Sequence, residues 1–274
     1  MQREVTGPAM TTALDRGAAA AQPLAPVTAT LRAMFGTATD LPGLAPGLTV
    51  HDRAGWRTAS DLIACHLPEL LRAAERRWDA QPHAAAALAW KTYTYWLALP
   101  AVLGWASARR VPLLRAEDVL VHFEDHRPLV TLGLDRDITV AVLPSDPIAA
   151  LALPNVRVVA DEAALLAELR ASLLTAHLEP MLDALHAHRV RLGARTLLGS
   201  LASGVAHAVL RSADVVPGST AQTIHTLLAT LGVDDLVELV PGPGGQLTVQ
   251  RRTCCLAFTL PKPKVCTGCC IRTA

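Results

Sequence analysis

The sequence predicts a mainly helical α+β fold, with a small central antiparallel sheet and a C-terminal β-hairpin leading into a cysteine-rich loop. Three observations predict it. Leucine and alanine recur at helical spacing over most of the chain. Short segments rich in Val, Leu and Thr interrupt that spacing between Val119 and Leu143. Near the end, a Pro/Gly turn at 241–245 separates two further strand-like segments.

A chain of 274 residues allows one large domain or two modest ones. Hydrophobic residues at 51% against 18% charged exclude a disordered chain. Residues 1–22 are expected to form a flexible arm: they carry no basic start followed by a long apolar run, so a signal peptide is not read there. A helical region is expected over 23–115. A composition shift near residue 115 opens a mixed α+β region over 116–274, which contains the cysteine segment 251–271.

The first helix is expected over Leu24–Phe35, ending at Gly36, with a Pro/Gly-punctuated loop over Thr37–Val50. Thr58 or Ser60 can cap a helix through Asp61–Cys65, and Pro68 starts another. Pro82 suits the first turn of a long helix reaching Ala108, with a kink at Pro100. Trp90, Tyr93, Trp96 and Trp105 on it are expected to build core. Its apolar run Trp96–Gly104 is too short for a bilayer span, which needs about 20 residues.

Val119–Phe123, Leu129–Leu134 and Ile138–Leu143 are expected as a three-strand meander, with Val156–Val159 as an added edge. Helix resumes at Asp161 and meets Pro180, which implies two helices or one bent helix. A further segment carries Leu197, Leu201, Val205 and Val209 at four-residue spacing. Its small residues Gly199, Ser200, Ser203 and Gly204 either let another backbone approach or leave room for a ligand; packing is the simpler expectation. Ser219 or Thr220 caps the next helix and Gly232 stops it. Leu236–Val240 and Leu247–Arg252 then form the hairpin.

Twenty-five basic against 24 acidic residues give a net charge of +1, which argues against a nucleic-acid-binding protein. His122, His126, His177, His186 and His188 form no metal-binding motif, and surface or capping roles are expected for them. No glycine fingerprint for a dinucleotide is present.

Cysteine usage is lopsided. Cys65 stands alone and is expected to be a small buried hydrophobe, while the other five fall between Cys254 and Cys270. Such crowding suits a metal site in a reducing compartment better than a secreted disulfide framework. Cys254-Cys255, ten residues, Cys266, two residues, Cys269 would satisfy either a zinc ion or a [2Fe-2S] cluster. Adjacent cysteines favour the larger, two-iron centre, because neighbouring side chains of a strand point apart. Leu256, Phe258, Leu260 and Val265 could shield it. Arg251, Arg252, Lys262, Lys264 and Arg272 bracket the thiols and could dock an anionic partner.

This text resembles the C-terminal signature of the FhuF-like ferric siderophore reductase family. The resemblance rests on Cys254, Cys255, Cys266 and Cys269, on the flanking Arg252-Thr-Cys-Cys-Leu-Ala-Phe258, and on the segment Arg191–Ala202. It implies a cytoplasmic oxidoreductase in iron uptake, with one [2Fe-2S] cluster on those four cysteines. It also implies one-electron transfer to Fe(III) in a hydroxamate-type siderophore. An external donor, a ferredoxin or a flavoprotein reductase, would supply the electron. No catalytic side chain beyond the cluster is implied, and no ligand role for Cys270. The competing expectation is a non-catalytic zinc- or iron–sulfur-bearing interaction protein, or a siderophore-binding one.

Overall fold

In the computed structural model the described residues are 22–36, 41–123, 128–188, 190–242 and 244–271. The arm expected over 1–22 lies outside them except for Gln22, as do His126 and Arg272.

The chain winds around one long helix, α3, over Pro82–Ala108. Apart from His83 and Lys91 its residues are uncharged, and most are buried on every side. A helix that is apolar all round belongs in a core. It runs through Pro100 as one element. Helix α1 (Ala25–Phe35) and helix α2 (Leu67–Trp78) pack on it from the N-terminal side. A short helical turn at Ala59–Asp61, capped by Thr58 Oγ1 accepting from the Asp61 N–H, leads into α2 through a wide turn at Leu62–His66.

Two small sheets flank α3. Strands β1 (Leu44–Val50), β2 (Arg57–Thr58), β4 (Val119–Phe123) and β5 (Val130–Asp135) form the first, in the order β1-β5-β4-β2. Only the β1–β5 pair is parallel. Strands β3 (Arg110–Pro112), β6 (Val140–Val142) and β7 (Val156–Val158) form the second. The expected meander is therefore corrected: its third strand leaves the first two and pairs with the segment just after α3. The buried Arg110 fixes that choice, with Nε and Nη2 gripping the two Asp146 carboxylate oxygens at 2.7 and 2.8 Å. The loop expected over Thr37–Val50 is corrected too. Pro46 and Gly47 sit in a bulge of strand β1, not in a turn between elements.

The second half returns to helix. Helix α4 (Glu162–Leu169) passes through a wide-turn segment, Arg170–Leu178, into α5 (Glu179–Ala187). Helices α6 (Ala194–Arg211) and α7 (Thr220–Leu231) follow, the latter capped by Ser219 and stopped by Gly232. Strands β8 (Val237–Pro241) and β9 (Leu247–Arg251) complete the antiparallel hairpin. One connected core runs from Val27 to Val249. The fold is thus mainly helical, with small sheets and a C-terminal hairpin. Among the described residues no helix is long and apolar enough to cross a membrane.

Two buried polar links lock α3 in place. The Trp90 indole N–H donates to the Leu197 carbonyl of α6 at 2.7 Å. Tyr93 Oη lies 2.6 Å from His177 Nε2, and His177 Nδ1 lies 2.9 Å from the Leu114 carbonyl. A carbonyl only accepts, so Nδ1 carries the proton and Nε2 accepts from the tyrosine. His177 is a core residue, not the surface or capping one expected.

Burial holds the neutral His177 imidazole down to about pKa 4, the Leu114 hydrogen bond opposing only in part. The unfolded chain therefore takes up a proton between about pH 6.5 and pH 4 that the folded chain refuses. Stability should fall as pH drops through that window, by on the order of 3 kcal/mol for this group. Urea unfolding across the window should show a flatter pH slope for His177→Asn than for the wild type, and equal slopes would acquit His177.

Candidate functional site

The C-terminal tail folds back on the hairpin that precedes it. The Arg251 N–H, at the end of β9, donates to the Gly268 carbonyl at 2.8 Å. Gln250 Nε2 donates to the Cys269 carbonyl at 3.1 Å. Gly268 takes φ +69°, and a Cβ there would overlap the Val249 carbonyl. The Cys266-Thr-Gly-Cys269 turn can rest on β9 only because position 268 has no side chain. Between the two cysteine groups, a short turn at Ala257–Thr259 is tied across by the Lys264 N–H to the Ala257 carbonyl.

This folding brings Cys255 Sγ and Cys266 Sγ to 3.3 Å. The buried Cys255 packs with Leu88, Ala257 and Leu260, while Cys266 is half-buried at the edge of that group. Lys91 Nζ, from the middle of α3, lies 3.5 Å from Cys266 Sγ. Cys254 takes a different direction: its sulfur accepts from the Leu256 N–H at 3.3 Å and pairs with Cys270. Cys269 is buried beside the turn.

The electrostatics distinguish the two sulfurs of the close pair. Burial pushes the Cys255 thiol up, but the Ala257 N–H, the Lys91 ammonium, the Cys266 thiol and the Arg251 guanidinium together bring it below its ordinary value. Burial, followed by its bond to the Cys255 sulfur, raises Cys266 in spite of Lys91. Of the two, Cys255 is the sulfur eased toward ionisation and Cys266 the one held toward the thiol. Burial and the neighbouring Cys254 and Cys269 raise Cys270 as well.

The four-sulfur convergence expected of Cys254, Cys255, Cys266 and Cys269 is not what forms. Among the described residues no three His, Cys, Asp or Glu side chains come together as a group able to hold a metal ion. The physical reason lies in the backbone. Neighbouring side chains on an extended chain point apart, and here the Cys254 sulfur meets the Leu256 N–H while the Cys255 sulfur meets Cys266. The donor set therefore does not fit a [2Fe-2S] cluster or a zinc ion, and the metal-binding and electron-transfer expectations are corrected with it.

No family model matches the chain, and no curated protein matches it. Among solved structures, the aerobactin synthetase IucA from a hypervirulent pathotype of Klebsiella pneumoniae aligns with 66% of this chain. The identity is 18% and the TM-score 0.42. Its ATP-bound form aligns over the same share at 16% identity and a TM-score of 0.41. The aligned part is 33% of each of those chains, so this chain spans about a third of their length. Likeness at that level assigns no activity. The FhuF-like resemblance and the siderophore-iron reductase activity it implied are withdrawn.

The remaining expected residues fall in three places. Arg251 is 3% exposed, its Nη2 donating to Ser200 Oγ at 3.0 Å. Arg252, Lys262 and Lys264 are on the surface, with Arg252 Nη2 at 3.3 Å from Glu238. Cys65 is exposed, not buried as expected. Of the expected shielding residues, Leu260 is buried, while Phe258 and Val265 are exposed. Sequence reasoning missed Lys91. The available signal was a lone full charge in a long helix whose other side chains are almost all apolar or neutral.

Two predictions test this geometry. Gly268→Ala should destabilise the tail by about 1–3 kcal/mol and speed hydrogen exchange at the Arg251 N–H; an unchanged exchange rate would mean the turn does not rest on β9. Lys91→Met should move the pH profile of thiol alkylation at Cys255 and Cys266 to higher pH, since it removes a charge that favours the thiolate. A profile left where it was would place Lys91 outside the site.

Proposed function

We propose that the chain is a thiol–disulfide redox protein whose working pair is Cys255 and Cys266. The observation that carries this reading is the 3.3 Å approach of their sulfur atoms beside the Lys91 ammonium. A thiolate next to a thiol is the resting state of a reducing dithiol.

Cys266 is the more exposed sulfur and meets the partner. It loses its proton to water beside the Lys91 ammonium, and the Sγ thiolate so formed attacks one sulfur of a partner disulfide. The S–S bond of the partner breaks, and the departing sulfur leaves as a thiolate that takes up a proton from water. Cys255 then releases its proton to water and attacks Cys266 Sγ, displacing the second partner sulfur, which is protonated in turn. Two protein thiols become one disulfide, and one partner disulfide becomes two thiols. The partner required is a disulfide-bearing molecule, in place of the ferric siderophore and external electron donor of the cluster reading. All six cysteines stand as free thiols, which suits a reducing setting such as the cytoplasm.

Incubating the fully reduced protein without oxygen in glutathione buffers of graded potential tests the reading. Two of the six thiols should be lost together and reversibly, and peptide mapping should find Cys255 joined to Cys266. Cys65→Ser should leave the transition in place, and Cys255→Ser should abolish it and trap a mixed disulfide on Cys266. Mapping that finds Cys254 joined to Cys270, or no reversible pair, would end the proposal.

A further inference from the structure

Helices α3 and α6 line an open cavity of about 260 Å³. Its described lining is Lys91 and Tyr95 from α3, with Ser200, Ser203, Gly204, His207 and Arg211 from α6. The α6 residues recur at three- and four-residue steps, so one helix face supplies them all. The lining is rich in donors: an ammonium, a guanidinium and three hydroxyl groups. No carboxylate is among its described members.

A second observation stands behind this wall. The Arg251 guanidinium is buried, and it reaches the cavity through Ser200, whose hydroxyl oxygen accepts from Nη2. That bond leaves the Ser200 hydroxyl proton free to be donated. Arg251 Nε and Nη1 are fully enclosed and have no hydrogen-bond partner among the described residues, and neither has the neighbouring Thr253 Oγ1. A buried guanidinium with unpaired donors is costly unless negative charge is brought to it. Two cations, Lys91 and Arg211, thus line the space, and a third, Arg251, lies behind Ser200. His207, half-buried in the same wall, is held down by burial and then by the charges of Lys91, Arg251 and Arg211.

We propose that this cavity binds a small oxyanion ligand, a phosphate or carboxylate group whose oxygens take up the donors of Lys91, Ser200, Ser203 and Arg211 over the buried Arg251. Oxygen acceptors fit what the lining offers, and bonds to ionised groups are the stronger kind. The volume suits a compact ligand and lies below the usual range of drug-sized pockets, about 300–1,000 Å³. The site shares Lys91 with the thiol pair, but its binding of an anion does not depend on the thiol reading.

Calorimetric titration of the full reduced chain at constant ionic strength, with inorganic phosphate in one arm and succinate in the other, tests the proposal. Saturable binding with one ion per chain is expected in at least one arm, and the preferred arm identifies the source of the oxyanion. Chloride at matched ionic strength should give no saturable heat. Arg211→Gln and Lys91→Met should each weaken binding by about tenfold or more, the worth of one charge-assisted hydrogen bond. Arg251→Met should weaken it further if it folds; the two other variants carry the test if it does not. No saturable binding in either arm, or affinity unchanged in both Arg211→Gln and Lys91→Met, would overturn the proposal.

Discussion

The close packing of α3 on α6 is the constraint from which the rest of the molecule follows. Gly204 of α6 lies in ordinary contact with Tyr95 of α3, and Gly199 of α6 lies so near Thr253 of the C-terminal segment that a Cβ would overlap its side chain. The Trp90 indole bonded to the Leu197 carbonyl fixes the two helices lengthwise. With that register set, the end of β9 enters beside α6 and carries Arg251 into the interior. The tail then returns over the hairpin and sets Cys266 opposite Lys91. A change at Gly199 would reach the thiols through Thr253 without touching them.

The electrostatics follow from the same packing. α3 is apolar along nearly all of its length, yet it holds one ammonium group halfway along. Burying the stem of a lysine in such a helix is tolerable only if its head reaches polar partners. Lys91 has them on two sides: the Cys266 sulfur at its end, and the donor-rich cavity shared with α6. One side chain thus belongs to two sites, each built with residues more than a hundred positions further along the chain.

Much of the secondary structure was legible because local chemistry specified it. Thr58, Ser219, Gly232 and the prolines at helix starts act within a turn of where they sit, and the structure uses them as the sequence suggests. Pairing was not legible. β6 shares the composition of β4 and β5, and what sends it to β3 is an ion pair between Arg110 and Asp146, 36 positions apart. Pro46-Gly47 has the composition of a turn, and Gly47 and Leu48 do take positive φ, yet the result is a bulge inside one parallel strand and not a break between elements. The cysteine spacing drew attention to the correct segment but not to the arrangement within it. Spacing limits how far sulfurs can lie apart; the backbone at each cysteine decides where they point, and it aims the adjacent Cys254 and Cys255 at different partners.

Charge balance connects the thiol pair to the cavity. Arg251 and Lys91 both favour ionisation of the Cys255 thiol, yet a thiolate there would offset only one of the two cations. The second positive charge, with unpaired buried donors on Arg251, leaves the interior short of negative charge. A fold can meet such a shortage by ionising another thiol or by admitting an anion. Cys266 and Cys270 are both pushed toward the protonated form, so these two sulfurs do not relieve it. An oxyanion between α3 and α6 does, and it lies against the same lysine that favours ionisation of Cys255. Closing the Cys255–Cys266 disulfide takes away the thiol that the two cations favour ionising, so by linkage the oxidised protein should hold the anion more tightly than the reduced one.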